Sequence, residues 1–285
     1  MNPPTEFASI GVFDSGVGGL SVLREIRHLL PVEDLNYVAD SAHVPYGEKS
    51  REFVEQRAVA ISQFLIAQGA KAIVVACNTA TSAAIATLRA RFPLPIVGVE
   101  PALKPAAEVT RSSIIGVLAT KATLRGAKFH QLQERVAANV QVLMQACEGW
   151  VELVEAGDLT SPKARALVKR QVLPLIERGA DTLVLGCTHY PFLVPLIREV
   201  AGPDVHVIDP SPAVARELKR RIESANLLSA ARENGRENFW TTGHPERVNR
   251  LISVLWGREC EVGQILLPSP NGDDQIESAK RVSNP

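Results

Sequence analysis

The sequence predicts an α/β protein of two similar lobes, each built on a mainly parallel sheet covered by helices, with the active site in the cleft between them. Three observations carry that expectation. Short β-branched runs alternate with helical patterns along most of the chain, which is the rhythm of βαβ units. The rhythm pauses at "VGVEPALKPAAE" and then restarts. Two strands also end alike, "AIVVACNTATSAA" at Cys77 and "TLVLGCTHYPFL" at Cys187, 110 residues apart.

In the first half, "SIGVFD" leads into the helix "GGLSVLREIRHLL", "LNYVAD" into "SREFVEQRAVAISQFLIAQG" and "AIVVAC" into "TSAAIATLRARF", before a further strand "PIVGVE". In the second of these helices Val54, Ala58, Ile61 and Leu65 share one face of a 3.6-residue period, and Gly69 fits the position just past its end. After the restart come "SIIGVLATKATL", "VQVLMQAC", the helix "SPKARALVKRQVLPLIERG", and the strands "TLVLGC" and "VHVID". Ser161 and Pro162 make an N-cap and first-turn pair, and Pro174 is expected to kink that helix.

Two echoes point to an internal duplication. "SIGVFDSG" matches "IIGVLATK", and Gly69-Ala70 precedes Cys77 as Gly179-Ala180 precedes Cys187. The segments "SPAVARELKRRIESANLL" and "FWTTG" to "LLP" are then expected to return to the first lobe. This gives one lobe of 1–100 plus 212–267 and a second of 101–211. Residues 268–285 are polar, have little to bury and read as a disordered tail.

Composition narrows the function. Lys and Arg number 31, as do Asp and Glu, and aromatic residues make up 5%. That balance lacks the footprint of a general nucleic-acid binder, although a locally basic patch stays open. The N-terminus "MNPPTEFASIGVF" has neither a basic n-region nor an apolar signal core, and no run of about 18 apolar residues appears. The protein is therefore expected in the cytoplasm, away from membranes. Its four cysteines, Cys77, Cys147, Cys187 and Cys260, are too dispersed for a disulfide framework, and no CxxC or HxxxH zinc signature occurs.

Ligands of parallel α/β sheets bind beyond the carboxyl ends of strands. Asp14-Ser15, Cys77-Asn78-Thr79, Thr120 and Cys187-Thr188-His189 all fall there. Asp40-Ser41 ends another strand, and "HVPYGEKS" continues from it through Tyr46-Gly47. Plainer readings stand beside the functional ones. A cysteine at a strand end can be a small core hydrophobe. Asp14 can cap the turn formed by Gly16, Gly18 and Gly19, and His189 can be a core or capping histidine. The glycines make no nucleotide loop, because GK[ST] is absent and Ser21 stands where G-x-G-x-x-G needs its last glycine. The helix they open could instead hold a carboxylate. Cys147 and Cys260 lack polar company and read as structural.

Two thiols facing each other across a cleft suit one task well. Inverting a carbon that carries hydrogen requires a base on one face and an acid on the other, and thiolate and thiol can exchange these roles. His189, two residues from Cys187, could hold or move a proton for it. An acyl transferase would need one thiol and a histidine.

In combination, "FDSGVGGLSVL", "YVADSAHVPYGEKS", "ACNTATSAA" and "LGCTHYPFL" resemble the motifs of the cofactor-independent aspartate/glutamate racemases, and within them glutamate racemase. The resemblance spans roughly residues 9–267. It implies two α/β lobes, D- and L-glutamate as substrate, a place in bacterial peptidoglycan synthesis, and neither cofactor nor metal. By matching motif, it makes Cys77 and Cys187 the two acid/base residues, with Asp14 and His189 assisting their respective thiols. It gives Asp14, Ser15, Tyr46, Gly47, Asn78, Thr79, Thr120, Thr188 and His189 as substrate contacts. Glu155 matches a family glutamate by its place 32 residues before Cys187, although "CEGWVELVE" departs here from the commoner "CPLFVPLVE". Some relatives respond to the nucleotide-sugar precursor UDP-N-acetylmuramoyl-alanine, so such an activator stays open, as does a homodimer. The alternatives are a racemase of aspartate or a hydantoin-type substrate, an amino-acid-binding protein that restrains a partner such as a topoisomerase, and a Cys/His/Asp metal site.

Overall fold

The computed structural model describes residues 8–136 and 138–268, so the expected tail lies, Pro268 apart, outside the described residues. The first half alternates β1 (Ser9–Asp14), α1 (Leu20–Leu29), β2 (Leu35–Ala39), α2 (Arg51–Ala67), β3 (Ala70–Val75), α3 (Asn78–Arg91), β4 (Ile96–Gly98) and the short α4 (Leu103–Val109). The second runs β5 (Ile114–Ala119), α5 (Lys121–Arg125), α6 (Ala127–Val136), β6 (Gln141–Ala146), α7 (Trp150–Glu155), α8 (Pro162–Glu177), β7 (Thr182–Gly186), α9 (Val194–Ala201) and β8 (His206–Ile208). α10 (Ser211–Ser224), β9 (Glu237–Thr241), α11 (Pro245–Trp256) and β10 (Val262–Gln264) follow.

The strands form two sheets, ordered β10-β9-β2-β1-β3-β4 and β6-β5-β7-β8, and every pairing among the described residues is parallel. If β5 is set on β1, the orders 2-1-3-4 and 6-5-7-8 coincide. The echoes read in the sequence are thus repeated in topology, with β1 matching β5 and β3 matching β7. The C-terminal segment joins the first sheet: β9 pairs with β2, β10 pairs with β9, and α10 packs on α1.

Local chemistry explains the elements. Parallel strands covered on both faces read as continuous apolar runs, and β1 and β7 are buried throughout. Ser50 caps α2 by accepting the Phe53 N–H at 3.1 Å, and Val54, Ala58, Ile61 and Leu65 are its buried stripe. Gly69 and Gly179 close the helices before β3 and β7 at φ 83° and 88°, a region that suits glycine. Ser161 caps α8 through the Ala164 N–H at 3.1 Å. That helix runs unbroken through Pro174, the expected kink. The proline removes one ladder bond close to the helix end without terminating it. One cluster of buried side chains passes between the sheets, joining Val17 and Leu20 to Trp150, Leu185 and Tyr190.

Candidate active site

In each sheet the chain leaves the central strand on one side and later returns on the other, which opens a crevice beyond the strand ends. β1 and β3 deliver Asp14, Ser15 and Cys77 to that crevice, while β5 and β7 deliver Thr120 and Cys187. The two crevices merge in one cavity with about 290 Å³ of empty space. Asp14, Ser15, Tyr46, Gly47, Cys77, Asn78, Thr79, Thr120, Cys187, Thr188 and His189 line it. Of the residues expected from the sequence, Glu155 alone stands behind the wall, bonded to His189 Nε2 at 2.8 Å.

The surroundings of the two thiols differ. Cys77 caps α3, its Sγ accepting the Ala80 N–H at 3.4 Å, and lies 4.0 Å from Ser15 Oγ. Burial pushes its thiol well above the usual cysteine range; the negative charges of Asp14 and Cys187 act in the same direction and the Ala80 N–H against it. Asp14 is fully buried, and burial raises its pKa against the opposing pull of His189 and of the Gly19 and Ser15 N–H groups. Cys187 instead faces His189 Nδ1 at 3.8 Å. Burial opposes charge on this ring, but Cys187, Glu155 and Asp14 outweigh it and hold the imidazole pKa well above its ordinary value. His189 is thus shifted toward its protonated form. It donates from Nε2 to Glu155, and its Nδ1 is within 3.9 Å of Asp14 Oδ2.

The glycine-rich loop answers a question that its sequence left open. Gly16 and Gly18 do not need left-handed dihedrals. They are small because the other sheet comes close: a Cβ on Gly16 would run into Glu155 Oε1, and one on Gly18 into the His189 ring. The carboxylate that the loop could hold proves to be the protein's own. Glu155 Oε1 takes the Val17 N–H and Asp14 Oδ2 takes the Gly19 N–H, both at 2.8 Å. Asp14 is therefore both a turn cap and part of the cavity wall. Ser21, the apparent flaw in a nucleotide fingerprint, lies 2.9 Å from the carbonyls of both Gly18 and Thr188 and so ties the loop to the second thiol's turn.

Asn78 is 5% exposed, yet neither of its side-chain polar atoms has a partner among the described residues. Buried polar groups are normally satisfied, so an amide left free at the cavity wall is a ready contact for a polar ligand. Thr79 Oγ1 and Thr120 Oγ1 meet at 3.4 Å across the two sheets. Tyr46 presents its ring to the cavity, but its hydroxyl is committed to Asp40, whose other contacts are Arg57 and Thr242.

Sequence reading missed Pro45, Thr123 and Val151 in the wall. Thr123 had a signal, since Thr120 accepts its N–H as the cap of α5, and a Thr three residues after a cap lies beside it. Val151 had none, because it arrives from α7 of the second half. Among the described residues, no group of three or more His, Cys, Asp and Glu is arranged to hold a metal ion.

The profile of Asp/Glu/hydantoin racemases matches residues 10–218. The chain belongs to that family. It is thus a racemase, an isomerase by class. The glutamate racemase of Methylococcus capsulatus is 59% identical over 247 residues, covering 87% of this racemase and 91% of the relative. The crystal structure of a glutamate racemase isoform from Bacillus anthracis superposes with a TM-score of 0.85 at 33% identity, covering 92% of this chain and 99% of that one. The Escherichia coli glutamate racemase, solved with L-glutamate and the activator UDP-MurNAc-Ala, gives 0.81 at 34% identity, with 92% and 99% covered. The two-lobed α/β fold expected from the sequence is that of these enzymes.

Proposed function

We propose that the chain interconverts L- and D-glutamate by a two-thiol acid/base mechanism in which no cofactor takes part. The observation that carries this reading is that Cys77 and Cys187, from equivalent strands of repeated sheets, line one cavity. A duplicated sheet supplies a proton acceptor on one face of the substrate and a proton donor on the other. Relatives named glutamate racemase, and the L-glutamate held by the Escherichia coli enzyme, support glutamate as the substrate.

The Cα–H of an amino acid is a poor acid, and its removal builds charge on the α-carboxylate. The free amide of Asn78, with the hydroxyls of Thr79 and Thr188, would donate to that charge, each contributing ~2–4 kcal/mol by analogy with oxyanion donors. For one enantiomer the Cys77 thiolate takes the proton, Asp14 assisting, and the Cys187 thiol delivers another to the opposite face. For the other enantiomer the roles reverse, with His189 holding or returning the Cys187 proton and Glu155 fixing the ring. Ser15, Tyr46, Gly47 and Thr120 complete the substrate contacts in this reading. The lobes are read as 1–100 with 212–267, and 101–211. The product would feed cytoplasmic peptidoglycan synthesis; no helix among the described residues is long and apolar enough to cross a membrane. We extend to this chain the nucleotide-sugar activation named for the Escherichia coli enzyme.

Isotope content tests the mechanism. In D₂O, the first D-glutamate formed from L-glutamate should carry deuterium at Cα while unreacted L-glutamate stays protiated, as read by mass spectrometry after chiral separation at low conversion. Protium retained in the product would overturn the two-thiol mechanism. Turnover of aspartate without turnover of glutamate would reassign the substrate.

A further inference from the structure

The cavity wall contains neither Lys nor Arg, His189 being its one basic side chain, although the proposed substrate carries two carboxylates. Further cations stand next door. A groove with about 1100 Å³ of empty space shares Thr79 with the cavity. Its walls are the start of α2, the outer face of α3, and the α5–α6 turn. Lys49, Arg51, Arg125 and Lys128 line it, with no carboxylate among its lining residues. Lys128 is paired with Glu100, whereas the side chains of Arg51 and Arg125 have no ion pair or hydrogen bond among the described residues. For a chain with 31 charges of each sign, this is a marked local excess. Of the other depressions that share residues with the cavity, the one at Pro45, Gly47, Thr120 and Val151 has the opposite character: Glu48, Glu148 and Glu152 against Lys121, itself paired with Glu148.

We infer that the basic groove is the collecting mouth of the active site, where Arg51 and Arg125 gather anionic substrate and deliver it past Thr79. This rests on the reading of glutamate as substrate. Unpaired charges of one sign along a cleft raise the local concentration of a counter-charged ligand by tenfold or more, and salt removes the effect. The side with three carboxylates repels the same anion, which favours entry from the basic groove over entry from there.

The test is kcat/KM for L-glutamate at about 10 mM and about 500 mM NaCl, in the wild type, in Arg51→Glu/Arg125→Glu, and in Lys169→Glu, a charge reversal on α8 outside the groove. At low salt the double variant should lose about tenfold in kcat/KM, the loss falling on KM, and the gap should close at high salt. Arg51→Lys/Arg125→Lys should recover most of it, and Lys169→Glu should behave as wild type. An active wild type whose kcat/KM and salt dependence match those of the double variant overturns the collecting mouth alone. A wild type that fails to turn over glutamate at either salt overturns the substrate reading and the mouth with it.

Discussion

The two thiol sites begin as copies and end as opposites. Both cysteines follow a buried strand, β3 or β7, both strands follow a glycine with positive φ, and both lie at the same place in the strand order. Beyond the cysteine the chains diverge. After Cys77 a full helix starts at once, and the thiol is its cap, flanked by Ser15 and Asp14. After Cys187 the chain takes the tight turn Tyr190–Leu193, which leaves His189 beside the sulfur with Glu155 behind it. Duplication thus supplied symmetric positions, and the residues after each strand supplied unequal electrostatics. One thiol sits by a buried carboxylate and the other by a histidine shifted toward its charged form. An enzyme that must serve both enantiomers then need not do so by equivalent steps.

Removing either thiol should break this pairing most severely. Cys77→Ala and Cys187→Ala are each expected to lower racemisation by ~10³-fold or more, the scale of an essential acid/base group, with the fold intact by circular dichroism. Cys147→Ala, which alters a buried thiol outside the proposed pair, should stay within about twofold in kcat, since its contact is a structural one to the Gln145 carbonyl. Comparable losses in all three variants would dissolve the distinction.

A smaller effect tests how the halves are clamped together. Gly16→Ala and Gly18→Ala drive a methyl into Glu155 and His189, so each should cost about 1–3 kcal/mol in denaturant unfolding as an overpacked contact. The displaced His189 ring should lower kcat by ~10²-fold. An alanine tolerated at both positions would mean that the second half does not need this close approach.

The finest test addresses the asymmetry itself. His189→Asn should slow the two directions unequally, because in the proposed mechanism Cys187 is base for one enantiomer and acid for the other. The equilibrium between free enantiomers is fixed, so the kcat asymmetry must be offset in KM. Stability gives an independent readout. The folded pKa of His189 is raised, so its protonation stabilises the fold fully below about pH 6.5, its unfolded value. That contribution is lost as pH rises through the raised midpoint. The difference in unfolding free energy between wild type and His189→Asn should shrink over that rise, and Glu155→Gln should shift the loss to lower pH. A pH-independent difference would mean that the ring is held neutral.

Cys77 and Cys187 were legible because a buried parallel strand is a continuous apolar run, and its end is marked where polar residues begin. The same signal gave Asp14, Ser15 and Thr120, and the repeat of glycines before each thiol strand gave the duplication. Glu155 was reached through family likeness alone, since a glutamate late in a helix carries no local mark of its use. Val151 was not legible, because nothing near it in the chain records which surface it will meet, and Pro45, although next to Tyr46-Gly47, carries no polar group to mark it.

Sequence alone determined the βαβ rhythm, the helix cap at Ser161, the glycine stops and the strand ends that carry the candidate site residues. These depend on backbone conformation and on apolar periodicity within a few residues. Tertiary structure decided the rest: that Gly16 and Gly18 are small to admit Glu155 and His189, that Ser21 bridges to Thr188, and that Asn78 is left without a partner. It also set the charge balance at His189, where Glu155 and Asp14, distant in sequence, join Cys187 against the burial that opposes its charge. Close approach and electrostatic environment are properties of surfaces brought together by folding, and no local pattern of residues encodes them.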